Sequence, residues 1–244
     1  MRIPRIYTQE NLVIGSVLQL DAIASGHIAR VLRLKAGDQI KLFNGDNSEY
    51  LAEIITADKK SVSIRVHSAE VKNRESSLIT RLGLVMSKGD RFDYAIQKAT
   101  ELGVYEITPL TSERCEVSLK GERAEKKRAH WQAIAVAACE QCQRNRIPRI
   151  NPAMSLANWL AINRTGLNLV LHHRAAMPMQ SFEKPESVNL LIGPEGGLSE
   201  SEIDLAQRHN FQSSLMGPRV LRTETAPIVA LTAAQLLWGD FQRS

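Results

Sequence analysis

The sequence has few cysteines and no long apolar run, and these absences exclude several classes of protein. Three cysteines in 244 residues, an odd number, do not suggest a disulfide framework, so we expect a reducing environment. The opening MRIPRIYTQE contains no apolar run of the kind that a signal peptide needs. The longest apolar stretch, APIVALTAAQLLW, is too short to cross a bilayer. We therefore expect a cytoplasmic protein with no membrane partner.

Several catalytic and metal-binding motifs are also missing. No G-x-S-x-G, H-E-x-x-H or paired zinc-ligand spacing occurs, which argues against acyl transfer and metal-assisted hydrolysis. The C-x-x-C of Cys139 and Cys142 lacks a second ligand pair and a thioredoxin-like context, so it predicts neither a metal site nor a redox site. We expect no bound metal.

The residues that are present indicate a globular protein with an anionic partner. Hydrophobic residues make up 43% of the chain, which is enough for a full core. The chain has 31 Lys and Arg against 26 Asp and Glu, a net charge of +5. Such an excess favours nucleic acid as a partner without requiring it.

The pattern of the chain changes near residue 72. Residues 1–72 contain short alternating strands and a hairpin turn, NGDN, and predict a small β-barrel with one short helix. On that helix His27, Arg30 and Arg33 recur at every third position, either as a solvated face or as a basic stripe. Residues 73–244 alternate strands and helices, which predicts an α/β domain with a mostly parallel sheet.

Two helices of the second region are apolar on more than one side. The helix around Trp131 has a second face of small residues, Ala133, Val136 and Ala137, which would suit burial against another subunit. The last helix, within APIVALTAAQLLW, is apolar nearly all round, so we expect it to be buried.

Two glycine-proline turns follow predicted strands. In LLIGPEGGLSESEI an apolar strand ends at Gly193, and Ser199 and Glu202 form a capping box that opens a helix. In MGPRVLRTETAP a strand again ends in Gly-Pro before a helix. Open α/β sheets bind ligands beyond the carboxyl ends of their strands. With LHHRA as a third loop, these turns predict one pocket built largely from backbone; ordinary strand-to-helix connections are the alternative.

Five segments together give the chain a resemblance to a known family. They are LLIGPEGGLS, MGPRVLRTETA, AACEQCQRNRIP, QKATELGV and MRIPRIY, and they resemble the RsmE family of the knotted SPOUT superfamily, small-subunit ribosomal RNA uridine-N3 methyltransferases. The resemblance runs nearly end to end. It implies a PUA-like N-terminal barrel, a C-terminal trefoil knot and a homodimer. It also implies S-adenosyl-L-methionine as cofactor and methylation of a uridine in the decoding region of 16S rRNA, on the small ribosomal subunit.

The resemblance implies roles for particular residues as well. The three loops of the knot would hold the cofactor through Leu171, His172, Ile192, Gly193, Glu195, Gly196, Gly197, Met216, Gly217, Leu221 and Arg222. Arg222 is the candidate for stabilising charge on the uracil or orienting it. Glu140, contributed across a dimer contact, is the candidate proton acceptor.

Basic residues are the candidates for contacts with RNA phosphates. They are Arg2, Arg5, His27, Arg30, Arg33, Lys88 and Arg144. Two other functions stay open at this point: a SPOUT methyltransferase that acts on another RNA such as tRNA, and an RNA-binding protein without catalysis.

Overall fold

The computed structural model describes residues 3–58, 61–172, 174–175 and 177–242. The chain forms two compact units. The first unit contains Met1–Glu75 together with Cys139–Ile147, and the second contains Ser76–Ala138 and Pro148–Ser244. Each unit is therefore assembled from two separate pieces of the chain. Within the described ranges, none of the helices combines the length and the apolar character needed to cross a membrane.

The first unit is built on a five-stranded mixed sheet. Its strands are β1 (Arg5–Tyr7), β2 (Val17–Gln19), β3 (Gln39–Phe43), β4 (Ser48–Asp58) and β5 (Ser61–Val71). They lie in the order β1-β3-β4-β5-β2, and only the β1–β3 pair is parallel. The NGDN turn joins β3 to β4, as predicted. Because alternate residues of a strand point to one face, Ile40 and Leu42 of β3 enter the core together.

A short helix and a π-helical turn connect β2 to β3. Helix α1 (Ala22–Gly26) begins after Asp21, whose side chain accepts two backbone N–H groups of the first turn. His27–Leu32 then form a π-helical turn, which ends at Arg33 in the left-handed conformation (φ 54°). The predicted helix is present, but its second half is wound more widely than an α-helix.

The second unit is built on an eight-stranded sheet in which every described pairing is parallel. Its strands are β6 (Ile79–Val85), β7 (Glu106–Thr111), β8 (Arg149–Ile150), β9 (Met154–Ser155), β10 (Leu167–Leu171), β11 (Met177–Pro178), β12 (Ser187–Ile192) and β13 (Gln212–Leu215). The order is β11-β13-β10-β12-β6-β7-β8, with β9 beside β7. The last strand thus lies between two earlier ones, and β13, β10 and β12 are neighbours. The α/β prediction with a mostly parallel sheet is confirmed.

Helices follow the strands of this sheet. They are α2 (Arg91–Glu101), α3 (Gly121–Cys142), α4 (Leu156–Leu160), α5 (Glu200–Arg208) and α6 (Thr225–Leu237). The predicted capping box of α5 is confirmed: the Ser199 hydroxyl accepts the Glu202 N–H, and the Glu202 carboxylate accepts the Ser199 N–H. The final residues of α3, Cys139–Cys142, belong to the first unit.

The last helix, α6, is buried on one side only. Ala230 and Gln235 are fully buried, and the Gln235 amide donates to the carbonyl of Leu102 at 3.1 Å. On the other side Leu236 is 45% exposed and Leu237 39% exposed. The expectation of a wholly buried helix is wrong, because nothing in the described part of the chain covers this second apolar face.

A glycine in the middle of β6 leaves room for a tryptophan. A Cβ atom at Gly83 would lie 2.6 Å from a ring carbon of Trp159, and the Trp159 side chain is fully buried. We expect Gly83→Ala to lower the free energy of unfolding by about 1–3 kcal/mol, as overpacking of a core does. Urea denaturation measures the loss. Gly26→Ala, where no atom lies within 4 Å of the added Cβ, is the control, and equal effects of the two changes would contradict the prediction.

Candidate functional site

The loops that follow β10, β12 and β13 meet in one pocket of about 220 Å³. Every predicted cofactor residue except Arg222 lines it: Leu171, His172, Ile192, Gly193, Glu195, Gly196, Gly197, Met216, Gly217 and Leu221. The strand order places β13, β10 and β12 side by side, so their carboxyl ends bring together loops that are distant in sequence. The structure therefore assembles these ten residues in one place.

The turn between Gly193 and Gly197 presents its backbone directly to the pocket. A Cβ atom at Gly193 would lie 2.9 Å from Cγ of Leu198 and 3.1 Å from its backbone nitrogen, so no larger residue fits without displacement. The Gly197 N–H donates to the carbonyl of Pro194 at 2.8 Å, and Gly197 has a φ of +70°, which glycine adopts without strain. The glycines are thus needed for both the shape of the turn and the close approach of its backbone.

Three side chains that the sequence analysis missed hold this turn in place. Nη1 of Arg114 donates to the Gly196 carbonyl at 2.8 Å, Nη1 of Arg91 lies 3.0 Å from Oε1 of Glu195, and the Thr223 hydroxyl donates to the Gly193 carbonyl at 3.3 Å. Thr223 is 5% exposed and joins the two glycine-proline loops. Thr223 lies within the RTET segment, so its nearness to the second glycine-proline turn could have been found from the sequence. The positions of Arg91, the first residue of α2, and of Arg114, in the loop after β7, depend on the tertiary fold.

The lining of the pocket combines apolar and charged groups. The apolar wall comes from Ile192, Leu198, Leu215 and Leu221, and the charged side chains are Arg114, Arg174, Arg219 and Glu195. Arg174 also forms an exposed ion pair with Glu200 at 2.9 Å. Such a pocket suits a ligand that has an apolar part and one or more charged groups.

Arg222 lies beside this pocket and is exposed. Its carbonyl accepts the N–H groups of Thr225 and Ala226, both at 2.9 Å, where α6 begins. The neighbouring residues Leu221 and Thr223 both line the pocket. Its guanidinium group is therefore available to a molecule that approaches from solvent.

Glu140, the other predicted catalytic residue, lies in the first unit. Its Oε1 accepts the Tyr7 N–H at 3.0 Å, and its Oε2 is 3.7 Å from Nδ1 of His27. Burial raises the pKa of the Glu140 carboxyl, while the Tyr7 N–H and the positive charges of His27 and Arg5 act against that increase. A carboxylate whose pKa is raised accepts a proton more readily near neutral pH.

Two of the arginines that were predicted to contact phosphates form ion pairs within the protein instead. Nε of Arg5 donates to Oε2 of Glu49 at 3.0 Å, and its Nη1 donates to the carbonyl of Cys139 at 2.7 Å. Nε of Arg144 donates to the carboxylate of Glu75 at 3.2 Å. Arg5 is 7% exposed and Arg144 4% exposed. The predicted phosphate contacts of these two arginines are wrong, because both side chains are buried and their donors already bind carboxylate or carbonyl oxygens of the protein.

The other basic candidates differ in exposure. Arg30 and Arg33 are exposed, His27 is half-buried, and Arg2 lies outside the described residues. Lys88 is 67% exposed and pairs with Glu116, and the hydrogen bond to that carboxylate raises the pKa of Lys88. Arg30, Arg33 and Lys88 are therefore accessible to a phosphate.

Comparison with known sequences gives two family matches and full-length relatives. Residues 74–235 match a family described as an RNA methyltransferase domain, and residues 24–66 match a family described as an RNA methyltransferase PUA domain. Ribosomal RNA small subunit methyltransferase E of Buchnera aphidicola subsp. Schizaphis graminum is 40% identical over 98% of both chains. The protein of the same name in Bacillus subtilis is 34% identical, over 88% of this chain and 89% of its own.

Solved structures agree with this match along the whole chain. A methyltransferase from Legionella pneumophila in complex with S-adenosylmethionine has 42% identity and a TM-score of 0.96, over 99% of this chain and 100% of the other. Ribosomal RNA small subunit methyltransferase E from Neisseria gonorrhoeae, bound to S-adenosylmethionine, has 35% identity and a TM-score of 0.92 over the same shares. The predicted resemblance and the PUA and SPOUT fold are confirmed.

Proposed function

The chain belongs to the family of ribosomal RNA small subunit methyltransferase E, and we propose that it transfers a methyl group from S-adenosyl-L-methionine to N3 of a specific uridine in the decoding region of 16S rRNA. The observation that carries this proposal is the single pocket in which three loops gather ten of the eleven predicted cofactor residues. The two solved relatives from Legionella pneumophila and Neisseria gonorrhoeae hold this cofactor. The cytoplasm and the small ribosomal subunit are the proposed setting.

The residues of the pocket fit this cofactor. Apolar side chains such as Ile192 and Leu221 would pack against the adenine ring, and the backbone between Gly193 and Gly197 offers N–H and C=O groups to its polar atoms. A Cβ at Gly193 would collide with Leu198, which also lines the pocket, so a larger residue at 193 would displace part of the lining. Charged side chains at the same pocket, among them Arg174 and Glu195, suit a ligand with a carboxylate and an ammonium group.

Methylation of a uracil nitrogen requires positioning, a proton acceptor and a cation near the uracil oxygens. When bound, S-adenosyl-L-methionine supplies a methyl group on a sulfonium, and the N–C bond forms as the S–C bond breaks. The N3–H proton leaves, and negative charge spreads onto O2 and O4. Arg222 would stabilise that charge, and Glu140, contributed across a dimer contact, would accept the proton. N3 lies on the Watson–Crick edge, so the uridine must be unpaired or flipped.

A homodimer is part of the proposal. Helix α6 exposes Leu236 and Leu237, and α3 exposes the small residues Ala133 and Ala137. Small residues allow close approach between helices, and exposed apolar side chains favour a protein contact. These two faces support burial against a second copy of the chain.

We propose that residues 1–72 form the PUA-like RNA-binding module and residues 73–244 the methyltransferase domain, except that the segment Cys139–Ile147 packs with the first unit. The first module would contact RNA phosphates through His27, Arg30 and Arg33. Lys88 would add a contact from the second region, near the glycine turn, since it borders a cavity that Glu195 and Gly196 also line.

Replacement of Gly193 tests the use of the pocket. Gly193→Ala adds a Cβ that lies 2.9 Å from Leu198, so we expect affinity for S-adenosyl-L-methionine to fall about tenfold or more, the equivalent of a modest overpacking cost. Calorimetric titration measures the dissociation constant. Gly26→Ala is the control with open space around the new methyl group. Unchanged affinity in Gly193→Ala would mean that the cofactor does not occupy this turn.

Methyl transfer from labelled cofactor tests the proposed reaction. Small subunits lacking base methylation, naked rRNA and tRNA are offered in parallel, and nucleoside mass spectrometry identifies the product. We expect N3-methyluridine in the small-subunit RNA. Label in tRNA would indicate a SPOUT enzyme with another substrate. Cofactor binding without label in any RNA would indicate an RNA-binding protein without this activity.

A further inference from the structure

A second cavity of the methyltransferase unit, of about 490 Å³, is lined by three arginines. Arg81 is near the start of β6, Arg149 is the first residue of β8, and Arg164 precedes β10. The cavity therefore lies at the amino ends of the parallel strands. The pocket proposed for the cofactor lies at their carboxyl ends, so the two are separate sites on one sheet.

The cavity begins at a row of polar residues across the sheet. Asn189 of β12 is in register with Arg81 of β6, Arg81 with Glu106 of β7, and Glu106 with Arg149 of β8. Residues in register on parallel strands point to the same face. The interior strands of a parallel sheet are otherwise nearly all apolar. Asn168 of β10, in register with Asn189, extends the row to five consecutive polar residues, a feature that the fold alone does not require.

The positive charge in this cavity is only partly balanced. Nε of Arg81 is 3.6 Å from Oε1 of Glu106, which is longer than a hydrogen bond. Nη1 of Arg81 is buried and has no acceptor among the residues that the structure describes. Glu106 is the one carboxylate in the lining, against three guanidinium groups. A buried donor without an acceptor is costly, so an oxygen-rich anion would stabilise this arrangement.

Arg164 is fixed in place by the protein. Its Nη1 donates to the carbonyls of Trp159 at 2.5 Å and Ile162 at 3.2 Å, and its guanidinium carbon lies 4.3 Å from the centre of the Trp159 ring. Burial lowers the pKa of Arg164; the negative charge of Glu106 raises it, and the positive charge of Arg81 lowers it further. Arg164 and Arg81 are thus close enough to repel each other.

We propose that this cavity binds a phosphate group, and that in the working enzyme the group belongs to the backbone of the substrate RNA. Guanidinium groups match the geometry of phosphate oxygens, and Arg149 lines the cavity while it is exposed to solvent. The assignment to RNA rests on the proposed function; the phosphate chemistry does not. A contact at the amino ends of the strands would fix the position of the RNA without touching the reacting base.

Salt dependence of RNA binding tests the proposal. The variant is Arg149→Gln, because Arg149 is exposed and its side chain supports no other part of the fold that the structure describes; Arg81→Gln is a second variant. Arg208→Gln, an exposed arginine on α5, is the matched control. For each variant the affinity for small-subunit rRNA is measured over a series of salt concentrations. Cofactor affinity and thermal unfolding are measured in parallel.

We expect Arg149→Gln to reduce the slope of log affinity against log salt by about one, as the loss of one phosphate contact does. Arg208→Gln should leave this slope unchanged, and neither cavity variant should change the affinity for the cofactor. Slopes equal to the parent in both cavity variants would overturn the assignment to RNA. A titration with inorganic phosphate, followed by NMR of the arginine side chains, distinguishes RNA phosphate from free phosphate. Free phosphate would be the ligand if Arg149→Gln and Arg81→Gln abolished saturable chemical-shift changes but left the slopes for RNA unchanged. If inorganic phosphate caused no chemical-shift changes and the variants did not change the slope, the cavity would bind no phosphate. Absence of methyl transfer with intact phosphate shifts would instead count against the proposed reaction.

Discussion

Replacing Arg222 with alanine is expected to lower the turnover of methyl transfer by about a hundredfold or more, the usual effect of removing one charge-stabilising donor. Arg222 is exposed and, unlike its neighbours Leu221 and Thr223, does not line the pocket. The affinity for S-adenosyl-L-methionine should therefore change far less than the turnover. An interaction made only in the transition state lowers turnover without weakening binding of the ground state. Single-turnover kinetics and calorimetric titration separate the two quantities.

Arg219→Ala provides the comparison for Arg222→Ala. Arg219 lines the pocket three residues earlier in the same loop, so its loss should act mainly on cofactor affinity. Arg222→Lys keeps the positive charge and should recover part of the lost turnover. If Arg222→Ala reduced affinity and turnover by the same factor, Arg222 would be a residue that holds the cofactor.

Replacing Glu49 with glutamine is expected to destabilise the first unit by about 3–5 kcal/mol, the cost of breaking a buried ion pair from one side. Glu49 is 5% exposed. It accepts hydrogen bonds from Arg5 at 3.0 Å and from Lys41 at 2.7 Å. Glutamine preserves the shape but leaves the buried guanidinium of Arg5 without a compensating charge. Denaturant unfolding, with hydrogen exchange followed on β4, measures the loss.

The same carboxylate predicts a dependence of stability on pH. Burial favours the protonated form of Glu49, but hydrogen bonds and charges of Lys41, Arg5 and Lys72 outweigh it and lower the pKa below its usual value. A lowered pKa in the folded state gives stability that is present above the unfolded pKa, about 4.3, and is lost as the pH falls through the folded value. The parent protein should therefore lose stability in acid more steeply than Glu49→Gln.

Glu53→Gln is the matched control for this prediction. Glu53 is on the same strand, but it is exposed and pairs with the exposed His67 at 3.1 Å. Exposed pairs contribute little, so the change should stay within about 0.5 kcal/mol. Equal losses in Glu49→Gln and Glu53→Gln would show that the buried position of Glu49 has no special effect.

Local signals explain which parts of the fold could be predicted from the sequence. The strand-to-helix alternation after residue 72 and the Ser199–Glu202 capping box depend on residues that are close in the chain. The pocket was predictable because Gly193 and Gly217 each follow a strand, and parallel strands place such turns at one edge of the sheet. Neither inference required knowledge of distant contacts.

The predictions of phosphate contacts failed because one residue type can play two different structural roles. Arginine binds phosphates and also forms buried ion pairs, and nothing near Arg5 in the sequence indicates which applies. Its partner Glu49 is 44 residues away, and the carbonyl of Cys139 is 134 residues away. Helix α6 illustrates the same limit, because an apolar pattern on all sides does not say whether the chain itself or another molecule covers the second face.

The two-piece construction of the first unit limits how this protein can be divided or recombined. A fragment that ended at residue 72 would lack the Cys139 carbonyl and the Asn145 side chain, both of which accept hydrogen bonds from Arg5. The buried guanidinium of Arg5 would then lack these two acceptors. We therefore expect that an exchange of the first unit between relatives requires the segment from Cys139 to Ile147 as well as the N-terminal piece. Sequence changes at the end of α3 must therefore remain compatible with a strand that is synthesised more than a hundred residues earlier.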